Sequence, residues 1–202
     1  MSPTIALLSP YLGVTSGVLA FLCFLPYIRD VLMRRTRPLR SSWLIWAVVT
    51  VIAFSAQVAE GAGPSLWFSG SIATGSCVVF ALSLHHGMGA YLDRADLAAL
   101  LLSGLGLMLW ALTSRPEIAL FCAIGISSMA GLLTLRKAFR SPWTETLSKW
   151  VIGSFAALMA VMSVGEFNAV LQAQPIYLTL LHVSVTTAIL WGRQRQAKLK
   201  PF

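Results

Sequence analysis

Apolar residues gather along this chain in seven runs, each long enough to read as a helix crossing a lipid bilayer, whose core needs ~20 residues or slightly fewer. They are Tyr11–Val31, Trp43–Val58, Leu66–Leu84, Leu97–Thr113, Ile118–Leu135, Trp150–Val164 and Ile176–Trp191. The sixth is the weakest: it is short, and Lys149 at its start must snorkel to the headgroups if the helix begins earlier. Connections between runs are brief, which predicts antiparallel neighbours and leaves no room for a soluble domain.

Positive charge falls between alternate runs. Arg34, Arg35, Arg37 and Arg40 follow the first run, where Arg29 also ends it. Arg94 follows the third; Arg136, Lys137, Arg140 and Lys149 follow the fifth; Arg193, Arg195, Lys198 and Lys200 follow the seventh. Only Arg115 lies on the other side. Basic loops stay in the cytoplasm, so this pattern predicts an outside N-terminus, a cytoplasmic C-terminus and an odd number of spans. Trp43 and Trp46 at the start of the second run are expected in the interfacial aromatic belt. The opening stretch "MSPTIALLSPYLGVTSGVLAF" has no basic region before its apolar residues, so it reads as the start of a retained first span.

Composition agrees with this class. Of 202 residues, 57% are hydrophobic and 11% charged, and the mean hydropathy is +0.77. Soluble domains carry roughly 25% charged residues. The net charge of +8 fits basic loops facing anionic lipid rather than a nucleic-acid surface. Cys23, Cys77 and Cys122 all lie in apolar runs without metal-site spacing and read as small buried residues.

Two loops repeat a motif. "PLRSSWLIW" and "PWTETLSKW" share P-x3-[ST]-x3-W, aligning Pro38 with Pro142, Ser42 with Thr146, and Trp46 with Trp150. Each follows the first helix of a triplet and enters the second, where Ser42 or Thr146 is placed to cap the helix. The pattern predicts an all-α polytopic membrane protein, a 3+1+3 parallel repeat of triple-helix bundles: 1–90 first bundle, 91–115 linker helix, 116–202 second bundle and basic tail.

On these residues, with "LPYIRDVLMRRTRPLRSSWLIW" and its weaker echo "LLTLRKAFRSPWTETLSKW", the chain resembles the PQ-loop and SWEET-like superfamily. It is similar in particular to bacterial members with a Pro-Tyr ending in span one and Ser-Trp-x-x-Trp opening span two. The PQ dipeptide is Pro26-Tyr27 here, and the second repeat has Leu133-Thr134. The resemblance implies a bacterial inner-membrane carrier of sugars, amino acids or vitamins, or a sorting receptor on the same fold.

No acid pair, HExxH or GxSxG lies in a membrane segment, so no enzyme, cofactor or metal is expected. His85-His86 reads as interfacial. His182, in the middle of the seventh run, is the sharpest candidate: an ionisable side chain at that depth usually faces a cavity or a partner. It stands for substrate contact, proton coupling, or an interhelical hydrogen bond. Gln57, Ser71 and Thr74 are further cavity candidates, or packing positions. Pro26 lacks the N–H for a bond one turn back, and with Tyr27 it is a hinge or gate candidate. Glu60 and Glu166 face outer water or form a gate with Arg115. Gly13 and Gly17 read as a packing face, within the chain or between copies in a homo-oligomer; Gly125 and Gly131 read as another packing face. The expected function is movement of a small polar solute by alternating access, passive or proton-coupled. The alternative is a non-transporting membrane receptor or assembly factor.

Overall fold

The computed structural model describes residues 3–89, 94–164 and 168–198. Glu166 and Lys200 lie outside these residues. The described chain forms seven α-helices: α1 Pro3–Leu32, α2 Arg40–Ala59, α3 Leu66–His86, α4 Arg94–Thr113, α5 Pro116–Arg140, α6 Leu147–Ser163 and α7 Ala169–Lys198. A single 3-10 turn, Pro142–Thr144, precedes α6. Each apolar run predicted from the sequence is the body of one helix. Most helices extend beyond their runs at one or both ends, while α6 stops at Ser163, one residue short of the end of its run.

This is an all-α membrane protein by its surface as well as its length. Five helices (all but α4 and α6) are long and apolar enough to cross a membrane, and α6 is apolar over its 17 residues. Large apolar side chains point outward along the bundle: Val18 and Leu25 on α1, Leu101 and Leu112 on α4, Phe155 and Met162 on α6, Leu180 and Val183 on α7. A water-facing surface does not carry an apolar area this continuous.

Apart from α4 the helices pack as a closed ring, α1–α3–α2–α5–α7–α6 and back to α1, which in chain order is a first group, α1–α3, and a second, α5–α7. α3 packs against α1 and α2, and α7 packs against α5 and α6. The groups meet through α1 with α6 and α2 with α5. α4 lies outside, against α5 and α2. Successive helices run in opposite directions. The α1–α2 and α5–α6 loops touch at one end, where the Arg37 N–H donates to the Thr144 carbonyl at 3.2 Å. The end of α3 joins them through Met88 with Pro38 and Arg40, and Gln196 of α7 reaches the Arg140 carbonyl. At the opposite end Ser9 donates to the Ser163 carbonyl, and Gln172 reaches Val161. The arginines of the loops therefore collect at one end, with Arg115 at the other.

Gly13 and Gly17 belong to contacts inside the molecule. A Cβ on Gly13 would lie 2.5 Å from the Pro64 carbonyl oxygen, and one on Gly17 would lie 2.8 Å from the Trp67 carbonyl carbon. These glycines let α1 close on the start of α3. Gly131 serves α5 and α7 in the same way against Leu181, whereas Gly125 has nothing within 4 Å. We expect Gly17→Ala to cost about 1–3 kcal/mol, since the obstructing atoms are backbone. Gly125→Ala is the silent control. Denaturant titration in detergent reads both; equal stability of the two variants would show that α1 and α3 do not need this approach.

Several expectations change. Trp43 and Trp46 are buried in the core, not in an interfacial belt. Ser42 and Thr146 do not cap their helices. Ser42 lies inside α2 and donates to the Ala130 carbonyl of α5 at 3.1 Å. Thr146 stands at the N-cap position of α6, but its hydroxyl bonds Asp30 Oδ2 at 2.8 Å and Thr36 Oγ1 at 2.6 Å. Both choose partners in the opposite group of helices, so they bind the groups together. Cys77 is exposed, while Cys23 is buried, and all three cysteines are free.

Candidate functional site

The interface between the two helix groups holds a line of buried polar side chains. At the basic end, Lys137 Nζ meets Glu145 Oε1 at 2.6 Å and also donates to the Arg37 and Thr144 carbonyls. Thr36, Thr146 and Asp30 lie beside it. At the opposite end Gln57 donates to Gln174, and Ser69 donates to Gln57 Oε1 at 2.7 Å. Ser127 and Tyr177 join at 2.9 Å between these clusters. Buried polar atoms need such partners, because each one left unpaired in a dry interior costs about 1–3 kcal/mol.

The chemistry concentrates between the two ends. Lys149, in the first turn of α6, is 3% exposed. It does not snorkel to the headgroups. The loop from α5 turns back through Pro142–Thr144, so α6 starts low in the bundle. Lys149 Nζ lies 3.3 Å from His182 Nε2 and 3.6 Å from the centre of the Trp150 ring. Phe24 and Trp43 stand 5.5 Å away. His182 in turn stands 11 residues before Arg193, about 16 Å of helix. The site is thus well inside the bundle.

An ammonium has three donors and no lone pair. His182 Nε2 must therefore accept, which puts the imidazole proton on Nδ1. The Nδ1 edge lies against α6 at Gly153, where a Cβ would come within 2.7 Å. A glycine one turn after Lys149 is what allows His182 to reach the lysine. Trp150 meets the His182 ring edge-on, with centres 5.4 Å apart.

Aromatic rings wall the site. Trp43, Trp46 and Trp150 form a chain with centres 5.1 and 6.1 Å apart, and Tyr27 and Phe24 pack on Trp43. Every indole N–H is engaged: Trp43 with Tyr27 Oη, Trp46 with the Ser127 carbonyl, Trp150 with Glu145 Oε2. These rings enclose a cavity of about 20 Å³ lined also by Thr50, Ser76 and Leu178, room for one water.

The sequence candidates divide accordingly. His182 is in the cavity wall. Trp46 and Trp150, the aligned motif tryptophans, both line it and meet edge to face, with ring centres 6.1 Å apart. Tyr27 is fully buried and holds Trp43. Pro26 lies inside a continuous α1. Pro38 and Pro142 are buried in the loops at the basic end. Gln57 is buried, but in the separate cluster with Ser69 and Gln174. Ser71 and Thr74 are not at the site. They line a different, largely apolar groove on the outside of the bundle, with Phe21, Phe54 and Trp67. On α3 the inward stripe is Ser69, Ile72, Ser76, Val79 and Ser83, at the helical spacing; choosing Ser71 and Thr74 missed it by two residues. Lys149 and Gln174 were the other omissions. His85 is exposed, and His86 Nδ1 lies 3.3 Å from the Leu82 carbonyl oxygen of its own helix. Among the described residues no cluster is built to hold a metal. Glu60 and Arg115 are both exposed, and no ion pair joins them among the described residues.

No family model matches the chain, and no curated protein or solved structure matches it.

Proposed function

We propose that this protein is a membrane transporter that moves a small solute between its two groups of three helices by alternating access. The observation that carries this reading is the buried Lys149–His182 cavity at the junction of the two groups, closed toward each end by polar contacts. A lysine in a bundle interior without an acidic partner at bonding distance is costly, and such groups mark solute or ion pathways. At the basic end the closing contacts are Thr146 with Asp30 and Thr36, and Arg37 with Thr144. At the other end they are the Gln57–Gln174–Ser69 cluster and Ser9 with Ser163. All but Ser69–Gln57 cross between the groups, so their making and breaking is suited to gating.

The proposal includes the seven-span, 3+1+3 parallel repeat of the PQ-loop and SWEET-like type. Exchanging α1 with α5, α2 with α6 and α3 with α7 maps the main packed pairs outside α4 onto one another; only the slight α3–α6 contact has no equal counterpart. The meeting of Trp46 with Trp150, aligned in the two motifs, supports a two-fold axis through the site. The basic end faces the cytoplasm of a bacterial inner membrane in this reading, by the charge bias.

Cysteine accessibility tests it without knowledge of the solute. Ser76→Cys is placed in a chain whose native cysteines are alanine, in vesicles of known sidedness. A membrane-impermeant anionic thiosulfonate is expected to react from both faces, and Thr146→Val to speed reaction from the basic face. Reaction from neither face would sink the transport reading and favour the receptor or assembly role. Reaction from one face alone would describe a pit, not a path.

A further inference from the structure

We infer that the solute is a small organic monocarboxylate with a planar or apolar body, held by Lys149 and Ser76. The inference rests on the transport reading, since a cavity of about 20 Å³ admits such a molecule only when the two helix groups part.

The polar inventory of the cavity decides the class. The three indole N–H groups are already spent on Tyr27, Ser127 and Glu145. Thr50 donates back to the Trp46 carbonyl at 2.5 Å. His182 Nε2 is taken by the lysine, and Nδ1–H, buried without a hydrogen-bond partner, is packed against α6 at Gly153. Apart from that N–H, two donors remain. One is the third N–H of Lys149, after His182 and the Trp150 face. The other is the hydroxyl of Ser76, a residue that is 3% exposed and lines the cavity and whose side chain makes no hydrogen bond among the described residues. The rest of the wall is Phe24, Trp43, Trp46, Trp150, Ile72, Leu178 and Leu181 faces.

One cation and one hydroxyl facing apolar walls match one carboxylate on an apolar body. The two carboxylate oxygens accept from Lys149 Nζ and Ser76 Oγ, both charge-assisted bonds. The aromatic faces take the body. A sugar would bury several hydroxyls without partners, each at the cost of an unmade bond. An amino-acid zwitterion would bring an ammonium to a site whose nearest carboxylate, Glu145, is held by Lys137 and Trp150. A doubly charged phosphate would face one ammonium and keep excess charge.

The test uses the full chain in detergent, with fluorescence of the cavity tryptophans as readout. Benzoate is titrated against benzamide, glucose, alanine and inorganic phosphate. Benzoate is expected to change the emission saturably, and benzamide to bind about ten- to hundredfold more weakly for want of the charge-assisted bonds. Lys149→Gln should remove the difference between benzoate and benzamide, and Ser76→Ala should weaken benzoate severalfold. If Lys149→Gln does not fold, Ser76→Ala alone carries the test. Equal binding of benzoate and benzamide, or preference for glucose, alanine or phosphate, overturns the carboxylate assignment. No binding by any probe, in a protein whose Ser76→Cys variant reacts from both faces, also overturns it while the transport reading stands. No reaction at Ser76→Cys removes both.

Discussion

Replacing Glu145 with alanine is expected to destabilise the protein by about 3–5 kcal/mol, the cost of leaving one partner of a buried ion pair alone. The side chains of Lys137 and Glu145 are 7% and 1% exposed, so little water can take over. Without the carboxylate, the Lys137 ammonium keeps only the Arg37 and Thr144 carbonyls. The Trp150 indole loses its acceptor at 3.1 Å in the same step, loosening the wall of the cavity. Glu145→Gln retains an acceptor for either group and should lose less. Unfolding in detergent with a chemical denaturant measures both; a loss below about 1 kcal/mol for Glu145→Ala would mean that water reaches Lys137 and that the basic end is open rather than closed.

Lys149→Met is expected to do the opposite. Lys149 has no carboxylate at bonding distance among the described residues; its contacts are His182 and aromatic faces. Burying an ammonium costs several kcal/mol, and the ring contact returns about 2 kcal/mol. A methionine of similar length removes the desolvation cost and fills the same space. Stability should stay level or rise by about 1–3 kcal/mol, while the response to benzoate disappears. Such a trade of stability against activity is usual where a site holds a strained or unpaired group. A marked loss of stability in Lys149→Met would instead assign Lys149 to holding the fold. The two lysines, twelve residues apart, thus make contrary predictions from one difference: among the described residues Lys137 has a carboxylate at bonding distance and Lys149 does not.

Much of the architecture is legible along the chain. Apolar runs of bilayer length became helices because a backbone in lipid must satisfy its own hydrogen bonds. Arginines collected at one end because alternate loops share an end. His182 was legible as a candidate because a histidine deep in an apolar run has few reasons to be there, and the structure places it in the wall of the buried cavity. The motif pairing Trp46 with Trp150 was visible as a repeat, although not as a contact.

What the chain could not reveal was rotation and depth. Ser69, Ser71, Thr74 and Ser76 lie within one eight-residue stretch of α3, and the helix turns Ser69 and Ser76 to one side and Ser71 and Thr74 to another. With nearly every neighbouring residue apolar, both faces look alike, since lipid and core make similar demands on composition. Only the packing of α3 against α1 and α2 set Ser69 and Ser76 inward and Thr74 outward. Lys149 was hidden for a related reason. In sequence it belongs to a basic loop, beside residues that do face water. The turn at Pro142–Thr144 and the glycine at 153 bring it down onto His182 instead. The sequence alone determined a helical membrane protein with its charge at one end, because both follow from local composition. Where the unpaired charge sits, and what it can hold, was decided by contacts between residues 33 positions apart, which local composition does not encode.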